Sequence, residues 1–361
     1  MPAIRLFFRL HFLVFVLSFD AAAEIGPVHP QVIDTIAFGS CAREDREQPI
    51  WDSIVAAAPD LFVFLGDNVY VDIPTPPQSA GEFAAAYRAL GAKPGYQRLK
   101  ARCPILATWD DHDFGLNDAG KEFRLKRQSQ TLLLSFFEDP PDSPRWTREG
   151  VYGAWMFGPP GKRVQVILLD TRYFRDPITP NVNWRPGDVI GPYKPPAGKP
   201  GGTILGEQQW AWLGAQLQRQ ADLRLIGSSI QVVAGEHGWE CWAHFPGEQR
   251  RLVRMISNTN AGGVVFLSGD RHMIEISKYD DPPAPYPLWD FTSSGFNWGH
   301  AEDPVEPNRH RVGPAKREPN FGVIKIDWDA GALSLEGRNG AGEPLMRQAV
   351  DLESLAIAGG D

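Results

Sequence analysis

The stretch LFVFLGDNVYVD, residues 61–72, opens with five apolar side chains and then turns abruptly polar, with Gly66, Asp67, Asn68, Tyr70 and Asp72. A short continuous apolar run closed by a glycine predicts a strand buried on both faces. A surface turn accounts for one or two of the oxygen-bearing side chains that follow, not for all of them. The same grammar recurs along the chain. Short apolar runs at 34–41, 104–111, 163–172, 223–233 and 261–272 read as further strands, with helical patterns between them at 48–58, 81–92, 121–139, 206–220 and 246–258. Strand, turn, helix, strand is the trace of an α/β fold with helices packed on the faces of a sheet. In such folds ligands gather outside the carboxyl ends of the strands. Five of the six runs end in a polar cluster: Cys41, Asp67, Asp111, Asp170–Arg172 and Asp270–His272. The pattern places those clusters on one rim.

Composition bounds what such a rim can do. The chain has 361 residues, a formal charge of −8 and 43% apolar residues, enough for one large α/β domain, and no linker divides the strand series. The acidic balance, without Lys/Arg clusters, argues against a nucleic-acid partner. It leaves phosphate chemistry open, because bound cations can supply the positive field. The start, MPAIRLFFRLHFLVFVLSFDAAAEIG, has basic residues at Arg5 and Arg9, an apolar core and a small-residue site at Ala21–Ala23. It predicts a Sec-type signal peptide over 1–23, a body over 24–361, and a periplasmic or extracellular destination. The apolar core is shorter than the ~20 residues a spanning helix needs, and no other segment is apolar enough to span. Export permits disulfides, so of the three cysteines Cys103 and Cys241 can pair or remain buried thiols, while Cys41 is the candidate ligand. The Pro/Gly-rich stretch 176–202 reads as a long irregular loop, either a lid or a solvated insertion. The tail from 320 alternates like two strands joined near DAGA and predicts an edge hairpin.

Singly, each strand-end cluster is ordinary turn chemistry. Together, GSC, GDNVY, WDDHD and SGDRH present thiol, carboxylate, phenol and imidazole, the side chains that hold transition metals. Crowding Asp67, Asp111 and Asp270 costs several kcal/mol in repulsion unless cations neutralise them. A dinuclear or polynuclear metal site resolves that conflict.

The order GSC … GDNVY … WDDHD … SGDRH, with LLDTRYFRD, TILGEQQWAWL, IQVV and NFGVIKID, resembles the PhoD-like alkaline phosphatases, a branch of the calcineurin-like metallophosphoesterases, over about residues 33–330. The resemblance implies a metallophosphoesterase-type four-layer αββα sandwich, here with a C-terminal β-hairpin. It implies hydrolysis of phosphate mono- or diesters by a metal-activated hydroxide. Cys41, Asp67, Tyr70 and His272 become ligands of a ferric ion, with Asp67 bridging. Asp111 and Asp270 become oxygen ligands of a second cation, calcium or another divalent ion such as zinc, manganese or cobalt. His112 takes the place of the catalytic histidine and Asp113 that of the acid orienting it. The family's lone metal-binding histidine is missing, so that either Ser229 or Gln231 replaces it or the second metal is weakly held; His237 and Glu240 read as loop residues. Asn117 and Asp118 are candidates for metal or phosphate contact, or for a helix cap. Arg172 and Arg271 either grip phosphate oxygens or pair with a neighbouring Asp. Trp239, Trp242 and Phe245 either cover the pocket or belong to the core. The implied partner is a small-molecule or lipid phosphate ester. The alternatives are a phospholipid-headgroup or wall-polymer diesterase, and a non-catalytic metal- or phosphate-binding protein.

Overall fold

The computed structural model describes residues 28–194, 201–299 and 305–357; the predicted leader at 1–23 and part of the 176–202 loop lie outside them. The chain runs β1 (Val28–His29), β2 (Thr35–Gly39), α1 (Ile50–Ala56), β3 (Leu61–Leu65), α2 (Ala80–Gly91), α3 (Pro94–Arg102), β4 (Ile105–Thr108), α4 (Asp111–Phe114) and α5 (Lys126–Phe136). It continues through β5 (Gly153–Phe157), β6 (Val164–Leu168), α6 (Gly206–Leu217), β7 (Leu223–Ser228), α7 (Pro246–Asn258), β8 (Val264–Ser268), β9 (Ile274–Tyr279) and β10 (Leu288–Ser293). Three longer strands follow, β11 (Asn320–Asp327), β12 (Ala332–Asn339) and β13 (Pro344–Asp351).

These strands form two sheets, ordered β1-β5-β6-β7-β8-β10-β9 and β13-β12-β11-β2-β3-β4. In β3 the pleat sorts the apolar run. Leu61, Val63 and Leu65 face a core shared with Val164, Val166 and Leu225 of the other sheet, while Phe62 and Phe64 face the helices. There they meet Trp51 of α1 and, within the same cluster, Phe83 of α2, Leu99 of α3 and Leu133 of α5. Truncating Phe64 to Ala would open a cavity there at a cost of roughly 3–5 kcal/mol. On the far side, α6 presents Trp210, Leu213 and Leu217, and α7 presents Leu252, Val253 and Ile256, at helical spacing. The order helix, sheet, sheet, helix is the four-layer sandwich expected from the sequence.

Strands β2, β3 and β4 are parallel in one sheet, and β6, β7 and β8 in the other. Their carboxyl ends carry Cys41, Asp67, Asp111, Asp170 and Asp270, which explains how distant turns reach one rim.

The expected hairpin is present, with β11 and β12 antiparallel across the turn at residues 328–331, and the tail goes on beyond it. Strand β11 pairs with β2 on one side and β12 on the other, and β13 adds a third strand, so the element is a meander built into the sheet. The Cys103–Cys241 disulfide is absent: both thiols are free and buried. Cys103 closes α3 in the cluster of helices outside the six-stranded sheet, whereas Cys241 precedes Trp242, which packs in the other core cluster. Helix α3 escaped the periodicity because α2 ends immediately before it. Strand β10 escaped because it carries Asp290 and Thr292, both fully buried; Asp290 accepts hydrogen bonds from the Val232 and Val233 backbone N–H groups at 2.9 Å.

Candidate metal centre

Three of the rim strands, β2, β3 and β8, end in a strained turn. Cys41, Asp67, Asp270 and His272 all adopt positive φ, at 62°, 49°, 66° and 50°. Non-glycine residues rarely sit there, at a cost of order 1–3 kcal/mol each, and such strain clusters at functional sites. Gly66 makes the closest approach possible: a Cβ on it would lie 2.4 Å from the Asp110 backbone nitrogen. The Gly66–Asp67 turn therefore seats directly against the Asp110–Asp113 turn.

The side chains converge. Cys41 Sγ lies 3.3 Å from Asp67 Oδ2, and the Tyr70 hydroxyl donates to that same oxygen at 3.1 Å. Ser294 ties the half-site together, with its Oγ 3.1 Å from Cys41 Sγ and accepting from the His272 backbone N–H at 2.9 Å. Among the described residues, candidate ligand atoms lie within 4.8 Å of one another in four sets: Cys41/Asp67/His272, Asp67/Asp111/His112, Asp110/Asp111/Asp270 and Asp111/Asp118/Glu240. Asp67 and Asp111 are shared between sets, the arrangement of bridging carboxylates.

Electrostatics show what the cluster lacks. Burial, and then the neighbouring charge of Asp67, pushes the Cys41 thiol well up, and the Tyr70 phenol rises for the same two reasons. Asp67 is raised by burial and then by Asp111. Asp113 and Asp118 are pushed up to about 7 and Asp270 to about 6, burial being the main cause in each. Asp111 is the exception: burial works to raise it, but His112 and Arg172 hold it below the usual carboxylate range. Burial would lower His112, yet Asp111, Asp67 and Asp72 raise it well above its ordinary value. Burial, then Arg271, keeps His272 neutral and ready to ligate.

The residues present fit metal ions. Asp111 Oδ1 is buried with no hydrogen-bond partner among the described residues, an orphan acceptor that a cation would satisfy. One half of the rim offers sulfur, phenol, carboxylate and imidazole. The other, around Asp110, Asp111, Asp118, Glu240 and Asp270, offers oxygen alone.

A family model described as PhoD-like phosphatase matches residues 36–335. The chain belongs to the PhoD-like phosphatase family. Alkaline phosphatase D of Bacillus subtilis (strain 168) is 24% identical over 192 residues, covering 48% of this chain and 31% of that protein, so the match spans under a third of the relative's length. Among solved structures, one described as PhoD superposes with a TM-score of 0.68 at 16% identity, covering 93% of this chain and 73% of that one. Another, the Plasmodium protein GAP50, described as the anchor in the inner membrane complex, gives 0.55 at 14% identity over 91% and 90% of the two chains. At these identities the superpositions show the fold alone.

Within this PhoD-like site the geometry revises several roles read from the sequence. Asp113 does not orient His112. Its carboxylate accepts from the Asp67, Asn68 and Asp110 backbone N–H groups at 3.2, 3.2 and 2.7 Å, closing the turn. Asp72 holds the imidazole instead, with Oδ1 2.7 Å from His112 Nδ1. Arg172 is fully buried beneath the site, paired with Asp110 and Glu240, and does not line the cavity. Arg271 does line it, but is paired with Glu306 at 2.6 Å. Ser229 donates to Asp110 at 2.6 Å and Gln231 Nε2 to Glu275 at 2.7 Å, and neither residue lines the cavity. Glu240, read as a loop residue, instead reaches the acid cluster, held by Arg175 at 2.8 Å. His237 is a buried loop residue whose Nδ1 accepts from the Trp239 N–H at 3.0 Å. Trp242 and Phe245 are core, and only Trp239 of the three aromatics reaches the cavity. Asn117 and Asp118 both line it; the Asn117 N–H donates to Asp72 Oδ2 and the Asp118 N–H to Asp111 Oδ2, each at 2.8 Å. Asp72 was visible in the opening stretch, but nothing in its spacing distinguished it from a turn residue.

Proposed function

We propose that the protein is an exported, metal-dependent hydrolase of phosphate esters, with a ferric ion on the Cys41, Asp67, Tyr70 and His272 side and calcium or another divalent ion on the Asp111 and Asp270 side. The observation that carries this reading is the position of Asp67, whose carboxylate lies within 4.8 Å of ligand atoms of Cys41 and His272 on one side and of Asp111 on the other. Thiolate, phenolate and imidazole favour a transition metal, and an oxygen-only set favours a hard cation. Bound there, the cations would hold phosphoryl oxygens and lower the pKa of a coordinated water. The chain's own contribution is to position and to move one proton. Asp72 fixes the His112 ring through Nδ1, leaving Nε2 as the ring atom available to the cavity. In the metal-free fold burial works against the charged ring, but Asp111, Asp67 and Asp72 raise His112 well above its ordinary value. With cations on Asp111 and Asp67, Asp72 is the carboxylate left to favour the protonated ring, from which a proton would pass to the leaving alkoxide. Export rests on the charge and apolar pattern of residues 1–23; among the described residues no helix is long and apolar enough to cross a membrane.

The test is a panel of phosphate mono- and diesters offered to protein stripped by chelation and then reloaded with iron and calcium. Hydrolysis that requires reloading, and that falls roughly 10²–10⁴-fold in His112→Ala with metal content intact, supports the reading. Bound metal without hydrolysis of any ester would leave a binding protein. A preference for diesters would select the headgroup or wall-polymer alternative, and a purple colour would place tyrosinate on ferric iron.

A further inference from the structure

The cavity beside the acid cluster has a volume of about 380 Å³, room for a phosphoryl group and one ring, and an arm of the chain helps to form it. The arm folds back on itself through the Asn181 N–H to Pro192 O bond of 2.7 Å and the Lys194 N–H to Thr179 O bond of 3.1 Å. It is strapped across the rim by Gly191 N–H to His237 O at 2.6 Å, Tyr193 N–H to Gly238 O at 2.9 Å, and the Tyr193 hydroxyl to Asp118 Oδ2 at 2.5 Å. The contact needs glycine on both sides. Gly238 has φ +68°, and a Cβ on Gly191 would lie 2.6 Å from Gly238 O. The far end of the arm then brings Trp184, Asp188 and Val189 to the cavity wall.

There Trp184 and Trp239 stand nearly perpendicular, at 79° with centroids 6.0 Å apart, and the Arg271 guanidinium lies 4.6 Å from the Trp239 ring. Arg271 and Arg317, the arginines lining this cavity, both pair with Glu306. A carboxylate on a leaving group would therefore meet Asp188 with the nearby positive charge already engaged. An uncharged ring would meet two indoles arranged as adjoining walls.

We infer that Trp184 and Trp239 form a leaving-group subsite selecting phosphate esters whose leaving group carries an uncharged aromatic ring. This rests on the phosphoesterase reading above. Aromatic contacts of this kind are expected to favour a ring by about 2–10-fold over a saturated one of similar size. The test uses the metal-loaded full chain and a matched pair of non-hydrolysable probes, benzylphosphonate and cyclohexylmethylphosphonate, titrated by calorimetry, with 4-carboxybenzylphosphonate as the charged arm. The corresponding phosphates provide kcat/KM. The subsite predicts tighter binding of the benzyl probe, weaker binding of the carboxylated one, a benzyl preference falling toward unity in Trp184→Ala, and its recovery in Trp184→Phe. Equal binding of the two uncharged probes, or a preference untouched by Trp184→Ala, overturns it. Selective phosphonate binding with no ester hydrolysed would sink the catalytic reading and keep the subsite. Hydrolysis without selectivity would do the reverse, and failure of every phosphonate to bind would sink both.

Discussion

Replacing Asp72 with Asn keeps the shape of the side chain and removes its charge, which isolates what that carboxylate does for His112. The carboxylate serves two donors, with Oδ1 2.7 Å from His112 Nδ1 and Oδ2 accepting from the Asn117 N–H at 2.8 Å. An amide has one oxygen for those two donors, so one of them loses its acceptor. A hydrogen bond to a charged group contributes about 1.5–3 kcal/mol against about 1 kcal/mol for a neutral one. The imidazole is thereby misaligned by an amount worth roughly 1.5–3 kcal/mol, which converts to a loss of about 10–100-fold in kcat. The sign of the pH effect follows as well. Burial pulls the His112 pKa down, while Asp111, Asp67 and Asp72 pull it up, so deleting the Asp72 charge lowers it. The basic limb of the kcat profile, where His112 loses the proton it donates, then moves to lower pH. Asp113→Asn is the contrast: that carboxylate closes a turn of three backbone N–H groups, so its loss shows first as a lower melting temperature. The assay is steady-state hydrolysis across pH alongside thermal melting. Wild-type kcat and an unmoved basic limb in Asp72→Asn would refute the reasoning.

Cys41→Ala should deplete the transition metal and leave the oxygen-ligated cation in place, as read by elemental analysis; unchanged metal content would remove Cys41 from the ligand set. Asp113 and Asp118 titrate near 7 and Asp270 near 6 in the metal-free fold, all raised by burial above the ordinary carboxylate value of about 3.9. Their contribution to metal-free stability is thus fully present below about pH 4 and is lost as pH rises through 6–7. The gap in melting temperature between metal-loaded and chelated protein should therefore widen from pH 5 to pH 8, and a constant gap would contradict the burial argument. With Cys103 and Cys241 free and buried, reductant should leave the melting temperature unchanged and thiol reagents should react only on unfolding. A drop in melting temperature with reductant would reveal a bridge.

The parallel strands were legible because each is a short apolar run punctuated by a turn, and the metal rim because its members sit at the ends of those runs. Cys41, Asp67, Asp111 and His272 could be placed for that reason alone. What escaped depends on the third dimension. Asp72 and Asp113 are both acids near His112 in space, and only the direction of their carboxylates tells positioning from turn closure. Arg172 reads equally as a phosphate ligand or as the partner of a neighbouring Asp, and only the folded chain shows the buried acids Asp110 and Glu240 holding it. The arm from 180 to 193 carries no periodicity, so its strap to Gly238 was invisible before the backbone hydrogen bonds were in view. Strand β10 hides polar residues inside the core, where buried partners rather than solvent satisfy them.

The most direct measurement is anomalous diffraction from crystals of the metal-loaded protein. The account predicts one peak within about 2–2.6 Å of both the Cys41 sulfur and a His272 ring nitrogen, a second within that range of Asp111, and Asp67 oxygens touching both. Density that leaves Asp67 bound to neither peak, or no ordered cation on the rim at all, would contradict it.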